Sequence, residues 1–484
     1  MGELANLKPE LLWKHFEEIC KRPHPSRKEK LLAQYVVDFA KKNNLDYAVD
    51  KFGNAVVRKP ATKGFENLTP VVLQGHLDMV AEKNADVKHD FDKDPIQPYV
   101  DGDWVKAKGT TLGSDNGIGV AAALAVLEDK NLQHGPIEAL FTLDEETGLN
   151  GAQALQPGFI HGEIMMNLDS EEDGALYIGC AGGQNSTIKF NFTPNEVPAN
   201  TVAFDLKVTG LKGGHSGLDI HLGKGNAIKL MVRLLHELNY NYGIRLVSIN
   251  GGSKHNAIPR ECFATIRVAK KSADDVKGYV EHYNEIVKAE LASVEPTLNV
   301  VANNSKSKLK VIDITTAKNL IDSLYAVPNG VIKMSADIPG LVETSTNLAT
   351  INYDSYELIV GTSQRSSIES AKRNIARSVQ AVFELAGAKV KMADGYPGWQ
   401  PNFDSPLLQL ATDLYKKTYG QEPEIKAVHA GLECGILSDK YPGVDMISFG
   451  PIIIGAHSPD EKVNIDAVIK FYSFLKILLH ELTK

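Results

Sequence analysis

Val71-Val-Leu-Gln-Gly-His76-Leu-Asp78 is an apolar run that passes straight into a glycine and then a His-x-Asp pair. An apolar run of this length ending at a glycine reads as a buried strand. Its surroundings repeat the theme. Ile137–Leu143 and Ile164–Leu168 are further β-type runs, while Lys28–Asn43 and Ile118–Asp129 are helical, the latter with Ala121, Ala122, Ala123 and Leu124 in a row. Strands alternating with helices favour a largely parallel sheet covered by helices. The theme returns at the far end of the chain. Val444–Phe449 reads as a strand, and Asn464–Leu482 as a helix with Val468, Phe471, Leu475, Leu478 and Leu479 toward one face.

The interval between these regions differs. Residues Gln184–Asn200 are polar, carry Pro194 and Pro198, and read as a linker; Met392–Phe403, rich in Gly and Pro, reads as the return crossing. Between them lie β-runs at Val202–Val208 and Glu261–Val268 and helices at Asn226–Leu238 and Ser367–Leu385. The expected architecture is an α/β domain with a mixed, largely parallel sheet flanked by helices, interrupted by an inserted α+β domain. Its expected boundaries are 1–186, 187–392 and 393–484. Inside the insert, Gly252–Asn256 followed by Cys262–Ile266 has an echo in Glu343–Asn347 followed by Leu348–Ile351. The echo suggests two similar halves; two coincidental β-edge motifs explain it equally well.

Bulk properties narrow the function classes. The chain has 484 residues, 43% hydrophobic and 23% charged, enough apolar material for two or three folded domains. A net charge of −8 and the lack of a dense basic stripe give no footprint for nucleic acid. Cys20, Cys180, Cys262 and Cys434 show no paired spacing, which argues against a disulfide framework and fits a reducing compartment. The first twenty residues read as an amphipathic helix rather than a secretory signal. No apolar run approaches the roughly 18 residues of a membrane span. A cytoplasmic protein is expected.

Five polar positions follow apolar runs. His76 and Asp78, at i and i+2 of an extended chain, point to one side, so the carboxylate can hold the imidazole of a metal ligand; His-x-Asp is also common at strand ends. Asp115, in Thr111-Leu-Gly-Ser-Asp115-Asn-Gly-Ile-Gly-Val120, could bridge two cations or simply cap a helix. Asp144, Glu145 and Glu146 end a buried β-run, where open α/β sheets place their sites. One glutamate there could bind metal while its neighbour moves protons; a polar turn is the alternative. Asp169 closes the run from Glu163, and His457 lies in a Gly/Pro loop before the last helix. Either is explicable singly as a satisfied loop residue, but five such positions form a less casual set.

The ordered set resembles the metallopeptidase family that includes carboxypeptidase G, peptidase T, carnosinases and bacterial aminoacyl-histidine dipeptidases (peptidase D). It is nearest the last through GHLDMV, GSDNGIG, DEETGLNGA, NLDSEEDG, GGHSG and HAGLECG, spread over essentially the whole chain. The resemblance implies two zinc ions per subunit, one held by His76 and Asp169, the other by Glu146 and His457, with Asp115 bridging. It implies Asp78 as the partner of His76 and Glu145 as general base. Cobalt or manganese could substitute for zinc on such nitrogen and oxygen ligands. Zinc lowers the pKa of its water to about 7 and polarises the scissile carbonyl.

The family's lid histidine matches His215 in Gly213-Gly-His215-Ser-Gly217, implying a donor to the substrate carbonyl. Asn256 and Arg365 match substrate positioning, Arg365 by gripping a terminal carboxylate through its guanidinium fork, although SQRSS around it looks like a surface loop. Glu433, in His429-Ala-Gly-Leu-Glu433-Cys-Gly, is a candidate for the substrate amine. The implied activity is hydrolysis of unblocked dipeptides, Xaa-His and carnosine among them, by a homodimer. Two alternatives stay open: an N-acyl amino acid deacylase or desuccinylase on the same scaffold, and a zinc-binding interaction protein without catalysis.

Overall fold

The computed structural model describes residues 3–354 and 356–484. The chain divides into two compact units. The first comprises the residues up to Gly179, Trp399–Ala427 and Leu432–Lys484; the second comprises Cys180–Gly398 and Val428–Gly431.

An eight-stranded mixed sheet organises the first unit. Its centre is parallel, in the order Ile137–Thr142, Val71–His76, Ile164–Asn167, Asp445–Ser448. Antiparallel strands flank it, Ala55–Lys59 and Asp46–Val49 on one side and Ala175–Cys180 on the other. Every residue of Val71–His76 and Ile137–Thr142 is buried, which is why these strands read as apolar runs rather than alternating ones. The helix Ser114–Glu128 is buried on every side from Asn116 to Leu127 and packs on the strand Val71–His76 and the helix Glu10–Cys20. The last helix, Ile465–Glu481, buries the five apolar side chains its periodicity predicts.

Strand order decides where a site can form. Ile137–Thr142 and Ile164–Asn167 lie on opposite sides of Val71–His76, so the chain steps first one way and then the other. The carboxyl ends of these strands frame the crevice where open α/β sheets bind ligands. A small four-stranded sheet adds a second frame: Ile453–Ile454 pairs with Lys462–Asn464, which pairs with Trp104–Ala107. It holds the loop bearing His457 beside the chain that leads to Asp115.

The second unit is a nine-stranded sheet whose strands pair antiparallel. Eight run in the order Asn299–Ser305, Thr201–Thr209, Cys262–Ala269, Arg245–Gly251, Val342–Asp354, Glu357–Ser366, Gly182–Asn191, Lys389–Met392. Gly330–Met334 pairs on Val342–Asp354 off that path. Read outward from the contact between Gly251 and Ile351, each half is a β-α-β-β-α-β unit with the same strand order. Two similar halves therefore exist, but the Gly252–Asn256 echo does not mark them. Gly252–Asn256 lies in a connection between strands, whereas Glu343–Asn347 lies inside one.

The linker expected at Gln184–Asn200 is also corrected. Gly182–Asn191 is a ten-residue strand with Ser186, Ile188 and Phe190 buried and Asn185, Lys189 and Asn191 exposed. One face of this strand meets solvent, so half its residues are polar and its composition imitates a loop. Among the described residues no helix is long and apolar enough to cross a membrane.

Candidate metal centre

The strand Val71–His76 delivers its terminal imidazole to the crevice. Nδ1 of His76 lies 3.0 Å from the main-chain oxygen of Asp78 and 3.4 Å from its Oδ1. The expected meeting occurs, with the carbonyl as the nearer acceptor. The Asp78 carboxylate does further work: Oδ1 accepts from the Glu145 N–H at 2.8 Å and Oδ2 from the Glu146 N–H at 3.1 Å. One aspartate thus orients a ring and the turn opposite it.

With its proton on Nδ1, His76 presents a lone pair at Nε2. That nitrogen faces Asp115 Oδ1 at 3.1 Å and Asp169 Oδ1 at 3.3 Å. The other oxygen of Asp115, Oδ2, faces Nε2 of His457 at 3.1 Å, and the same nitrogen lies 3.0 Å from Glu146 Oε1. Two ligand sets, His76/Asp115/Asp169 and Asp115/Glu146/His457, each bring their atoms within 4.8 Å of one another and share Asp115. A third set of this compactness joins His76 to Glu145 and Glu146.

Asp115 is not a helix cap. The residue before the helix is Gly113, at φ 70°, and Asp115 lies inside the first turn rather than at the cap position. Asp115 and Asn116 leave helical geometry (φ −85°, ψ 107° and φ −107°, ψ 26°), which turns the carboxylate into the crevice. Two glycines make room for this entry. A Cβ on Gly75 would meet Asn116 Oδ1 at 2.3 Å, and one on Gly119 would meet the Leu168 carbonyl oxygen at 2.3 Å.

The three consecutive acids divide their tasks. Asp144, at φ 51°, accepts from the Thr147 hydroxyl at 2.6 Å and the Asn150 amide at 2.7 Å, holding the turn. Its own N–H donates to Glu29 at 3.1 Å. Glu146 faces His457, and Glu145 stands in the crevice beside His76. Burial pushes the Glu145 carboxyl well above the usual range; His76 opposes this, while Asp169, Glu146 and Glu433 reinforce it. A carboxyl so placed can accept and return a proton.

The chemistry of the donor set fits cations. Glu146 Oε1 and Asp169 Oδ1 are buried, and each faces a histidine nitrogen, His457 Nε2 at 3.0 Å and His76 Nε2 at 3.3 Å. Among the described residues no lysine or arginine pairs with Asp115, Glu146 or Asp169; their ion pairs are with the two histidines. Without metal, the histidines must hold protons to balance the acids. Burial would lower His76, yet Asp169, Asp115 and Asp78 carry it well above its ordinary value. Hydrogen bonds to Asp115 and Glu146 raise His457 to about 11. Burial raises Asp169 to about 6, with His76 pulling the other way. Divalent cations would take the place of those protons.

The expected substrate residues fall in different settings. His215 forms a short strand with Gly214, and its Nδ1 accepts from the Gly217 and Leu218 N–H groups at 3.3 and 3.1 Å. Nε2 is therefore the ring's donor. Asn256 is exposed, and its carbonyl oxygen accepts from the Ser216 N–H at 2.8 Å, bracing the His215 loop. Arg365 corrects the surface-loop reading. It lies in the strand Glu357–Ser366, 7% exposed, with Nη1 donating to the Tyr396 hydroxyl at 3.0 Å and Nε buried without a partner. Its polar neighbours are themselves interior residues, so composition misled.

Glu433 is fully buried. Its Oε2 accepts from Gln74 at 2.5 Å and Thr142 at 2.6 Å, while Oε1 has no partner. Burial raises its carboxyl to about 7, against His76 and the Thr142 hydroxyl. Sequence reasoning missed Gln74, Thr142, Glu29 and Glu461, which support the site from behind; the available signal was a polar residue in each of two buried strands, Gln74 in Val71–His76 and Thr142 in Ile137–Thr142.

Residues 72–481 match the peptidase family M20/M25/M40. The cytosol non-specific dipeptidase of Escherichia coli (strain K12) is 46% identical over 482 residues, covering 100% of this chain and 99% of that protein. The crystal structure of aminoacylhistidine dipeptidase from Vibrio alginolyticus superposes with a TM-score of 0.90 at 45% identity, covering 99% and 98% of the two chains. The aminopeptidase PepT of Bacillus cereus, at 14% identity and TM-score 0.57 over 99% and 100%, shares the fold. Family match, full-length identity and superposition agree, and the chain belongs to peptidase family M20/M25/M40.

Proposed function

We propose that this protein is a metal-dependent dipeptidase that cleaves unblocked dipeptides, Xaa-His substrates and carnosine among them, with two zinc ions per subunit. One observation carries the metal reading: the two oxygens of Asp115 face different histidines, and each histidine also faces a second acid. In this reading His76 and Asp169 hold one ion, Glu146 and His457 the other, and Asp115 both. Bound zinc supplies Lewis acidity toward the scissile carbonyl and the attacking water.

The chain's own residues do the rest. Asp78 fixes the His76 tautomer and braces the Glu145–Glu146 turn. Glu145 takes the proton of the attacking water and passes it to the leaving amine. Glu433 offers its unpartnered oxygen to the substrate amine. The inserted domain, placed at 187–392 from the sequence, serves as a lid. From it His215 donates through Nε2 to the substrate carbonyl, Asn256 positions the substrate, and Arg365 grips the terminal carboxylate. A cytoplasmic setting and a homodimer belong to the same proposal. The 46% identity to an E. coli protein named as cytosolic supports the first, and the family resemblance supports the second.

The test is metal analysis of purified protein with a panel of dipeptides, each assayed with a free and an acetylated amine. Hydrolysis confined to the free-amine series, with two zinc ions per chain, is expected. Preference for the acetylated series would make the protein a deacylase. No hydrolysis with zinc, cobalt or manganese would leave a binding protein.

A further inference from the structure

Glu461 takes no ligand position, yet its carboxylate is among the most heavily used in the first unit. Oε2 accepts from the Leu112 and Gly113 N–H groups at 2.7 and 3.0 Å. Oε1 accepts from the Ser114 N–H at 2.7 Å, the Ser114 hydroxyl at 2.6 Å and the Asp115 N–H at 3.3 Å. The residue is 2% exposed. The start of the helix Ser114–Glu128 has main-chain N–H groups without intrahelical partners, and Glu461 satisfies them from another part of the chain.

Its origin matters as much as its bonds. Glu461 and His457 share the loop between Ile453–Ile454 and Lys462–Asn464, and Lys462 pairs with Lys106 in the small sheet. One loop therefore delivers a histidine to Asp115 Oδ2 at 3.1 Å and anchors the Asp115 main chain.

We propose that Glu461 is a positioning residue that sets the bridging orientation of Asp115, so that both cation positions depend on it. The inference rests on the metal reading given above. Both carboxylate oxygens accept from N–H groups, so Glu461→Gln must turn an amide NH2 toward other donors whichever way it sits. The turn Leu112–Asp115 that enters the helix then shifts, and Asp115 no longer meets both histidines.

Zinc titration of EDTA-treated full-length protein against a chromophoric chelator, with thermal melts of the same samples, decides the matter. Glu461→Gln should weaken zinc binding at both positions by about 10- to 100-fold. Ser114→Ala, losing one of the bonds, should weaken it about three- to tenfold. Glu138→Gln is the control: Glu138 is also buried and accepts from the His161 and Gly162 N–H groups at 2.6 and 2.9 Å. It should lower the melting temperature yet leave zinc affinity within about twofold. Wild-type zinc affinity in folded Glu461→Gln overturns the proposal, and so does an equal loss in Glu138→Gln, which would mark general scaffold damage. If Glu461→Gln does not fold, unchanged affinity in Ser114→Ala overturns it. Wild-type protein that binds no zinc instead refutes the metal reading itself.

Discussion

Loading the metal-free protein with zinc should release protons, and their number follows from the geometry. His76 Nε2 and His457 Nε2 each sit within 3.3 Å of two carboxylates. Their proton affinities are raised, His457 to about 11 and His76 well above its ordinary value, so both rings are imidazolium at pH 7. A zinc ligand must be neutral imidazole, so each ring gives up one proton, about two per chain before any contribution from water. The sign is fixed. The protonated forms persist below these raised values, so zinc binding strengthens with rising pH, by roughly a hundredfold per pH unit for filling both positions. Calorimetric titration of EDTA-treated protein at pH 7, in buffers of different ionisation enthalpy, counts the protons directly. The metal-free fold has the opposite trend: stability from the raised histidines is full below about 6.5 and drains as pH climbs toward 11. Its melting temperature should fall from pH 6.5 to 10. Proton release near zero at pH 7 would show both histidines neutral without metal, and the charge balance argued for the cluster would be wrong.

Other consequences can be tested separately. Glu145→Gln should lower kcat about 10²- to 10⁴-fold while zinc stoichiometry by elemental analysis stays unchanged, because the side chain is assigned to proton transfer rather than to a ligand position. Gly75→Ala places a Cβ 2.3 Å from Asn116 Oδ1; urea unfolding should show a loss of about 1–3 kcal/mol, with weaker zinc binding as Asn116 displaces Asp115. Lys229 donates to the Leu324, Tyr325 and Val327 carbonyls at 2.9, 2.8 and 3.0 Å, closing a helix end in the second unit. Lys229→Met should cost about 1.5–3 kcal/mol in the same assay with the zinc stoichiometry untouched.

Much of the fold was legible because local chemistry dictated it. Val71–His76 and Ile137–Thr142 are buried on both faces and had to be apolar; Ile465–Glu481 buries one stripe and had to be periodic. The strand Gly182–Asn191 was read as a linker because one of its faces is wet. The two halves of the second unit left no usable sequence repeat because the first, 201–305, is inserted between the opening strand of the second and the rest of it. Arg365 looked superficial for a related reason: Gln364 and Ser366 are polar residues of the same interior strand, and they and the following Ser367 are buried beside it.

Sequence alone determined which residue types stand at strand ends and helix entries, and the family resemblance those motifs carry implied the five proposed ligands with Glu145 and Asp78 beside them. It could not separate a capping Asp115 from a bridging one, because both uses need the same residue at the same place in a glycine-rich turn. Only the tertiary structure shows the carboxylate turned toward two histidines. That arrangement depends on His76 and His457 reaching Asp115 from 39 and 342 residues away, and on Glu461 accepting from the main chain of Asp115 between them. Such convergence is set by strand order and by hydrogen bonds between distant segments, which leave no periodicity or spacing to read.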